Sequence, residues 1–459
     1  MAKSKNFHTL SAEPIMSARI LIVGGSLGGL FAANLLHRAG HEVRVLEKAG
    51  MSLDGRGAGI VTHSGLLAAL RAAGVVVDDN LGVTVSSRVE LDARGEVVAR
   101  CEYTQLLTSW SRLYALLRAA LPDACHLAGH EVLGVAQNAR GVAVTCRQGQ
   151  RLDADLLIAS DGIRSPVREQ FAPAVAAHYA GYVAWRGVCE EAALSSNTRD
   201  RLFDYFGFGL PPHEQIIGYP VAGADNTTRR GARRYNFVWY RPAREHDELR
   251  ALLTDDQGVH HAQGIAPHKV SARAMAQMRQ AAREKLAPQW VEVIDKTVQP
   301  FLQPIHDLVS ERIAFDRVAL MGDAAFVARP HVGMGVTKAA DDALALRDAI
   351  GCHGATPLAL QHYEHQRLAA GRAVVERARR LGAYLQAAAH GDGARRPQQA
   401  APERDAQRVL EETAIDLALT VRLPDLLTSA PARPTHPPRT TETTPCRTTP
   451  PPSRAAANS

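Results

Sequence analysis

Cysteine is scarce. The chain has six, Cys101, Cys125, Cys146, Cys189, Cys352 and Cys446, and no two share a CxxC spacing. That argues against a zinc ribbon and against a thioredoxin-type redox site. Scattered cysteines without a secretory leader fit reduced thiols, so the expected setting is cytoplasmic. The opening residues, MAKSKNFHTLSAEPI, lack the apolar core of a signal peptide. Residues 1–15 are expected to form a flexible extension, with Met16 as an alternative start. No uncharged apolar run approaches the roughly 20 residues that a membrane helix needs. Ligand spacing for a metal is missing as well. His362 and His365 stand at helical i, i+3 spacing and read as an exposed face, and His260-His261 reads as a solvated pair.

What is present is ordinary for a folded protein: 46% hydrophobic and 22% charged residues over 459 positions. A chain of this length buries a large core without disulfide or metal staples. At about 150 residues per domain it suggests about three units. The net charge of +6 and pI of about 9.1 raise the idea of a nucleic-acid partner. Location removes most of it. Residues 431–459 carry +3 and residues 1–15 carry +1, leaving +2 for everything between. No nucleic acid and no membrane are expected.

Along the chain, Ile20–Val23 reads as a buried parallel strand, Leu27–Ala39 as a helix closed by Gly40, and HEVRVLEK as a second strand ending at Glu47. This is a βαβ unit of about thirty residues. Paired strands follow over 85–100, a helix over 110–120, a hairpin over 132–147 and a buried strand over 155–160. Residues 178–240 are strand-rich and hold most of the aromatics. Residues 245–300 are mainly helical, 318–321 is a strand, and 335–350 and 356–386 are helices. Residues 431–459 are rich in Pro, Thr, Ser and Ala and read as disordered.

Three motifs carry chemistry. The first is Gly24-Gly25-Ser26-Leu27-Gly28-Gly29, between a strand and a helix. Glycines there let the backbone approach a pyrophosphate, and the helix N-terminus offers N–H groups to it. Ser26 replaces the second glycine of GxGxxG, and Glu47 stands where an acid accepts ribose hydroxyls. The same letters spell GxSxG, a hydrolase elbow, but no earlier strand and loop exist to complete an oxyanion hole. The second is ADLLIASDGIRSPVR, in which a buried strand ends at Asp161-Gly162. The third is VALMGDAAFVARPHVGMGVTKAADDALALRDA: a strand, Gly322-Asp323, a loop with Pro330, Gly333 and Gly335, and an Ala-rich helix.

In this order the motifs resemble those of flavoprotein aromatic hydroxylases of the para-hydroxybenzoate hydroxylase type. The resemblance implies an α/β fold: a Rossmann-like FAD-binding domain built from discontinuous segments, with an inserted mainly β substrate-binding domain. The implied boundaries are 16–175 and 301–386 for the FAD domain, 176–300 for the substrate domain and 387–459 for a C-terminal extension. It implies FAD as cofactor, NADH or NADPH and molecular oxygen as co-substrates, and transfer of a hydroxyl from a flavin C4a-hydroperoxide to a hydroxylated aromatic ring. The cofactor set it implies is Gly24, Ser26, Leu27, Gly28, Gly29, Glu47, Lys48, Arg56, Arg112, Asp161, Gly162, Gly322, Asp323, Gly333 and Gly335. The family pattern GDAAHxxxPxxGxGxxxAxxDA is met except that Phe326 replaces its histidine and Thr337 an asparagine.

VGGSLGGL, GAGIV, YAGYVAWRGV and GDAAFVARPH are similar to the pyridine-hydroxylating branch of that family, the 2,6-dihydroxypyridine 3-monooxygenase type. Such chemistry is helped by a group that takes the substrate's hydroxyl proton. His63, Tyr182, Tyr219 and His331 are the candidates. Alternation on 182–187 puts Tyr182, Ala184 and Arg186 on one face and Trp185 on the other, and leaves open which face lines the pocket. A small aromatic substrate and a homodimer complete the expectations. The competing reading is a FAD-dependent dehydrogenase or NAD(P)H oxidase without oxygen transfer; a GxSxG hydrolase is more distant.

Overall fold

The computed structural model describes residues 17–51, 59–386 and 404–416. The chain divides into a unit ending at Asp416 and a second unit, Leu417–Ser459. The second unit, the N-terminal extension and Arg56 lie outside the described residues.

Six strands form the first sheet, in the order Ala314–Phe315, Val318–Leu320, Leu156–Ala159, Arg19–Val23, Glu42–Glu47 and His126–Ala128. All its pairings are parallel except the first, which is a hairpin. Three distant stretches of chain therefore meet side by side. They do so because Ile20–Val23, Leu156–Ala159 and Val318–Leu320 are buried throughout. A strand that is apolar on both faces suits only a sheet covered on both sides. Leu30 and Phe31 of the helix Leu27–Arg38, and Ala340, Ala343 and Leu346 of the helix Gly335–His353, join the same core.

The second sheet has nine strands: Phe326–Val327, Phe301–Val309, His178–Glu190, Arg234–Pro242, Gln215–Val221, Tyr205–Gly209, Val83–Leu91, Val97–Ser109 and Gly59–Val61. It extends past the stretch 176–300 in both directions. The alternating segments 83–91 and 97–109 pair with each other and then join Tyr205–Gly209.

The two faces of this sheet differ. Val183 and Trp185 pack with Trp239, Trp290 and Met278 against the helices Ala272–Lys285 and Pro288–Lys296. Tyr182 and Ala184 face the other way, among Phe206, Phe208, Tyr219 and Tyr240. Arg186 shares that second face, where its charge opposes the effect of burial on Tyr219 and Tyr240. The question left by strand alternation is thus answered by which face the helices cover.

The described part of the C-terminal stretch packs onto the main body. Leu410 and Ala414 are buried against the second face. What fixes them is Arg88, wholly buried in mid-strand. Its guanidinium donates to the carbonyls of Leu410, Thr413 and Ala414 and to Gln105 Oε1. Burial lowers its pKa to about 10, which still leaves it charged at neutral pH. Ala414 N donates to the His331 carbonyl at 2.8 Å, and Asp416 Oδ2 accepts from Ser64 N at 2.7 Å.

Two expectations on histidine pairs divide. His362 is exposed, as read. The pair at 260–261 is not solvated: both residues are half-buried, and His261 Nε2 lies 2.7 Å from the buried carboxylate of Asp255. That acid also accepts from the N–H groups of Gln257 and Val259, so a folded turn gathers the polar stretch.

Replacing Arg88 by Met strands three carbonyls under the segment. Arg88→Met is expected to lower stability by about 3 kcal/mol in urea unfolding and to expose 404–416 to protease. An unchanged midpoint would show that the segment is held by other means.

Candidate active site

The site is built at the carboxyl edge of the parallel sheet, where ligands bind in doubly wound folds. Gly24 follows the first strand with φ +99°, and a Cβ on it would lie 2.4 Å from the Ser160 carbonyl oxygen. Only glycine allows the strand ends 19–23 and 156–159 to sit this close. The helix Leu27–Arg38 then begins at Ser26. That serine makes no side-chain cap, and the first turn has no acid. The leading N–H groups and the positive end of the helix dipole are thus open to an anion. Glu47, 7% exposed, accepts from Gly25 N and Ala49 N, each at 2.8 Å. Lys48 beside it is exposed.

Asp161 and Gly162 follow the neighbouring strand. Asp161 Oδ1 is buried without a hydrogen bond, and burial raises its pKa to about 6. Ser165 caps the next helix through Arg168 N. Gly162 faces open space. Ser109 caps the helix that holds Arg112 by accepting from its backbone N, while Arg112 Nε is buried without a partner.

Gly322 N donates to Asp342 Oδ2 at 3.0 Å, and Arg367 holds the other oxygen of that carboxylate at 2.7 Å. Asp323 keeps 55% of its side-chain surface open. The protein around it still raises its pKa by desolvation, against the pull of Lys338. The helix Gly335–His353 repeats the feature of the first one: no side-chain cap and no acid in the first turn. A methyl at Gly335 would meet nothing within 4 Å. Gly333, at φ +64°, leaves room for the Ala414 methyl; a Cβ there would come within 2.8 Å of it. The two open-ended helices also approach each other, since a Cβ on Gly28 would lie 3.3 Å from Ala339 Cβ.

The proton-handling candidates fall nearby in two groups. His63 lies two residues past the short strand Gly59–Val61, at the N-cap of the helix Ser64–Ala72, and is 3% exposed. Its Nδ1 lies 3.0 Å from Thr337 Oγ1, on the helix that Gly335 begins. Burial lowers its pKa to about 4, with Asp416 and the Ala414 carbonyl opposing. Tyr219 stands on the same short strand's other side, close enough that a Cβ on Gly59 would strike its ring at 2.4 Å. The second group is Tyr182 and His331, joined at 2.9 Å. Tyr240 packs on His331 at 4.4 Å, and the long helix Pro357–Gln386 closes over the pair at Gly382. Burial lowers His331 to about 3, helped by Arg329 and Arg404. It lifts Tyr240 to about 12 and carries Tyr182 and Tyr219 above the ordinary tyrosine range.

Sequence reasoning passed over Lys338, Ala414 and Arg88. A signal for Lys338 existed, since it shares a helix face with Asp342 four residues on. None existed for the contact of Ala414 with Gly333. A separate cavity of about 920 Å³, lined by Trp185, Arg241, Asp255 and Met278, lies on the helix-covered face and contains none of the expected site residues. No histidine or acid is hydrogen-bonded to Ser26 among the described residues, so a hydrolase triad is not assembled. Nor do those residues gather three metal-ligating side chains or include a helix long and apolar enough to cross a membrane.

Two open helix ends and a glycine turn without room for a side chain fit a long anionic ligand that spans the sheet edge. These features define a flavoprotein oxidoreductase with a Rossmann-like nucleotide site. Residues 22–53 match the NAD(P)-binding Rossmann-like domain, and residues 179–307 match the FAD binding domain-like family.

The chain belongs to the FAD-dependent aromatic monooxygenases. It is 30% identical over 369 residues to 2,6-dihydroxypyridine 3-monooxygenase of Paenarthrobacter nicotinovorans, covering 80% of this chain and 91% of the relative. It is 27% identical to 3-hydroxybenzoate 6-hydroxylase of Klebsiella oxytoca over 81% and 89% of the two chains. The structure of 2,6-dihydroxypyridine-3-hydroxylase from Arthrobacter nicotinovorans superposes with a TM-score of 0.77 at 29% identity, over 84% of this chain and 96% of that one.

The buried histidines set an expected pH dependence. Unfolded, His63 titrates near 6.5; folded, near 4. Between those values the unfolded chain binds more protons, so this contribution is complete above about pH 6.5 and is lost as pH falls toward about 4. Asp161 and Asp341, both raised to about 6, act in the opposite direction. The comparison that isolates His63 is urea unfolding of the protein and its His63→Asn variant. The stability difference between them is expected to shift against the parent as pH drops from 6.5 to 4; a constant difference would mean His63 is not held neutral.

Proposed function

We propose that the chain hydroxylates a small hydroxylated N-heteroaromatic ring of the pyridine type, with NADH or NADPH and molecular oxygen as co-substrates. One arrangement supports this most: a neutral, buried His63 set between the open end of the Gly335 helix and the aromatic face of the large sheet. Likeness to a dihydroxypyridine hydroxylase over most of both chains supports the substrate class.

Gly24, Ser26, Leu27, Gly28 and Gly29 hold the FAD pyrophosphate through the open helix end, and Glu47 takes the adenosine ribose with its spare lone pairs. Lys48 lies alongside. Asp323 accepts from the ribityl hydroxyls, while Gly333 and Gly335 bring backbone N–H groups to the ring system. Arg112 and Asp161-Gly162 border the cofactor. When bound, FAD supplies electron transfer from the nicotinamide and activation of oxygen.

His63 accepts the proton of a ring hydroxyl. A histidine with a pKa near 4 is unprotonated at neutral pH and keeps a lone pair for the task. Thr337 fixes its ring through Nδ1. Arg186, on the same sheet face as Tyr219 and Tyr240, offers a cation to the ring oxygen left negative by that proton loss. Tyr219 orients the ring. The Tyr182–His331 pair excludes water, since both groups are buried and bound to each other.

The domain scheme is 16–175 and 301–386 for FAD and 176–300 for the substrate, with the strands at 59–61, 83–91, 97–109, 301–309 and 326–327 lent to the substrate-side sheet. The five described cysteines are free thiols, which suits a cytoplasmic setting. A homodimer is the assembly for sedimentation to test.

Purified protein supplied with a hydroxypyridine and ¹⁸O₂ is expected to oxidise NAD(P)H and place label in a new ring hydroxyl. Hydrogen peroxide in place of a labelled product would make it an oxidase and defeat the proposal. His63→Asn is expected to cut turnover about a hundredfold at neutral pH while FAD content stays level. Asp323→Ala should emerge from purification depleted in FAD; full cofactor content would remove the ribityl role.

A further inference from the structure

His63 occupies the N-cap of the nine-residue helix Ser64–Ala72, yet its side chain makes no cap bond and the first turn holds no acid. Short polar side chains serve at that position because they can turn back on the leading N–H groups. The His63 ring reaches across to the neighbouring helix instead, with Nδ1 3.0 Å from Thr337 Oγ1. The leading N–H is met from elsewhere. Ser64 N donates at 2.7 Å to Asp416 Oδ2, a residue 352 positions along the chain. Asp416 is buried and held from behind. Its backbone N donates to the Tyr103 hydroxyl at 3.0 Å. Ala414 N donates to the His331 carbonyl, and Arg88 donates to the carbonyls of Thr413 and Ala414.

The same carboxylate acts on His63 through its charge. It favours the protonated ring, in opposition to burial, while Arg88 pulls the other way. The other acid at this junction is Asp341, on the helix Gly335–His353, whose Oδ1 lies 3.3 Å from where a Cβ on Gly65 would stand. An acid beside a histidine steadies the imidazolium that forms when the ring accepts a proton.

We propose that Asp416 is a positioning residue for His63: its carboxylate takes over the cap of the helix that follows, leaving the ring free to lie against Thr337, and its charge steadies the imidazolium. The inference rests on the reading of His63 as the proton acceptor. In that step the O–H bond of the ring hydroxyl breaks, an N–H bond forms on His63, and the substrate oxygen keeps the electron pair. The C-terminal segment 404–416 then supplies a working part of the site.

Cap and charge are separable by substitution. Asp416→Asn keeps an acceptor oxygen for Ser64 N and loses the charge, and Asp416→Ala loses both. FAD-loaded full-length protein and the two variants are melted and assayed on hydroxypyridines whose hydroxyl groups differ in acidity, with kcat counted per bound flavin. Asp416→Asn is expected to melt with the parent and keep its KM. Its kcat is expected to fall on the order of tenfold for the least acidic hydroxyl, and by less as acidity rises, because a weakened base is felt most where the proton is held most firmly. Asp416→Ala is expected to melt lower and to lose more kcat than Asp416→Asn on every substrate. Parental kcat in Asp416→Asn, or a loss of the same size across the series, overturns the role of the charge and with it the proposal. So does an Asp416→Ala that loses stability but no more kcat than Asp416→Asn. Should Asp416→Ala fail to fold, the Asp416→Asn series decides alone. His63→Asn is run alongside. If it turns over like the parent, the reading of His63 and this one fail together; if it is crippled beside unaffected Asp416 variants, this one alone fails.

Discussion

Two helices in this protein begin with nothing to satisfy them. The helices at Leu27 and Gly335 have no side-chain cap and no acid in their first turns, and both open on the carboxyl edge of the parallel sheet. Uncapped ends are costly unless water or a ligand meets the free N–H groups. Around them lie further groups without a hydrogen bond: the buried Nε of Arg112 and Oδ1 of Asp161. The rest of the architecture serves this constraint. Glycine at position 24 lets two strand ends converge beneath one helix, and glycine at 333 lets the C-terminal segment close beside the other. The large sheet then presents an aromatic face, with Arg186 and His63, to the same edge.

Much of this edge was legible in the sequence because it depends on local signals. A buried strand, a glycine turn and a helix start lie within about a dozen residues of one another at Gly24 and within about twenty at Gly322, so spacing conveys them. The paired strands over 85–100 were equally plain from alternation, though the second of them runs on to Ser109. Their membership of the large sheet was not, because it depends on a parallel pairing with Tyr205–Gly209 more than a hundred residues on. The face of 182–187 that meets the site could not be read either. Both faces are apolar and buried, and only the placement of the helices 272–285 and 288–296 separates them.

The least legible element is the segment 404–416. Arg88 looks like a polar residue on an alternating strand, yet it is wholly buried and reads carbonyls over three hundred residues away. No periodicity encodes such a contact. Its consequence reaches the site, since Ala414 meets Gly333 and hydrogen-bonds the His331 carbonyl, and Asp416 caps the helix that follows His63. His63 and His331 are both buried beside this segment, although Asp416 and the Ala414 carbonyl themselves oppose the neutrality of His63. The surroundings of both histidines are thus shaped by a part of the chain that carries no motif.

The account stands on the open helix ends being kept for a phosphate-bearing flavin. The direct measurement is the melting temperature of the apoprotein with FAD and, separately, with riboflavin, which has the same ring system and ribityl chain but no phosphate. A ligand that binds only the folded state raises that temperature in proportion to its affinity. The account predicts a large rise with FAD and little with riboflavin at equal concentration. Equal rises with both, or none with FAD, would contradict it.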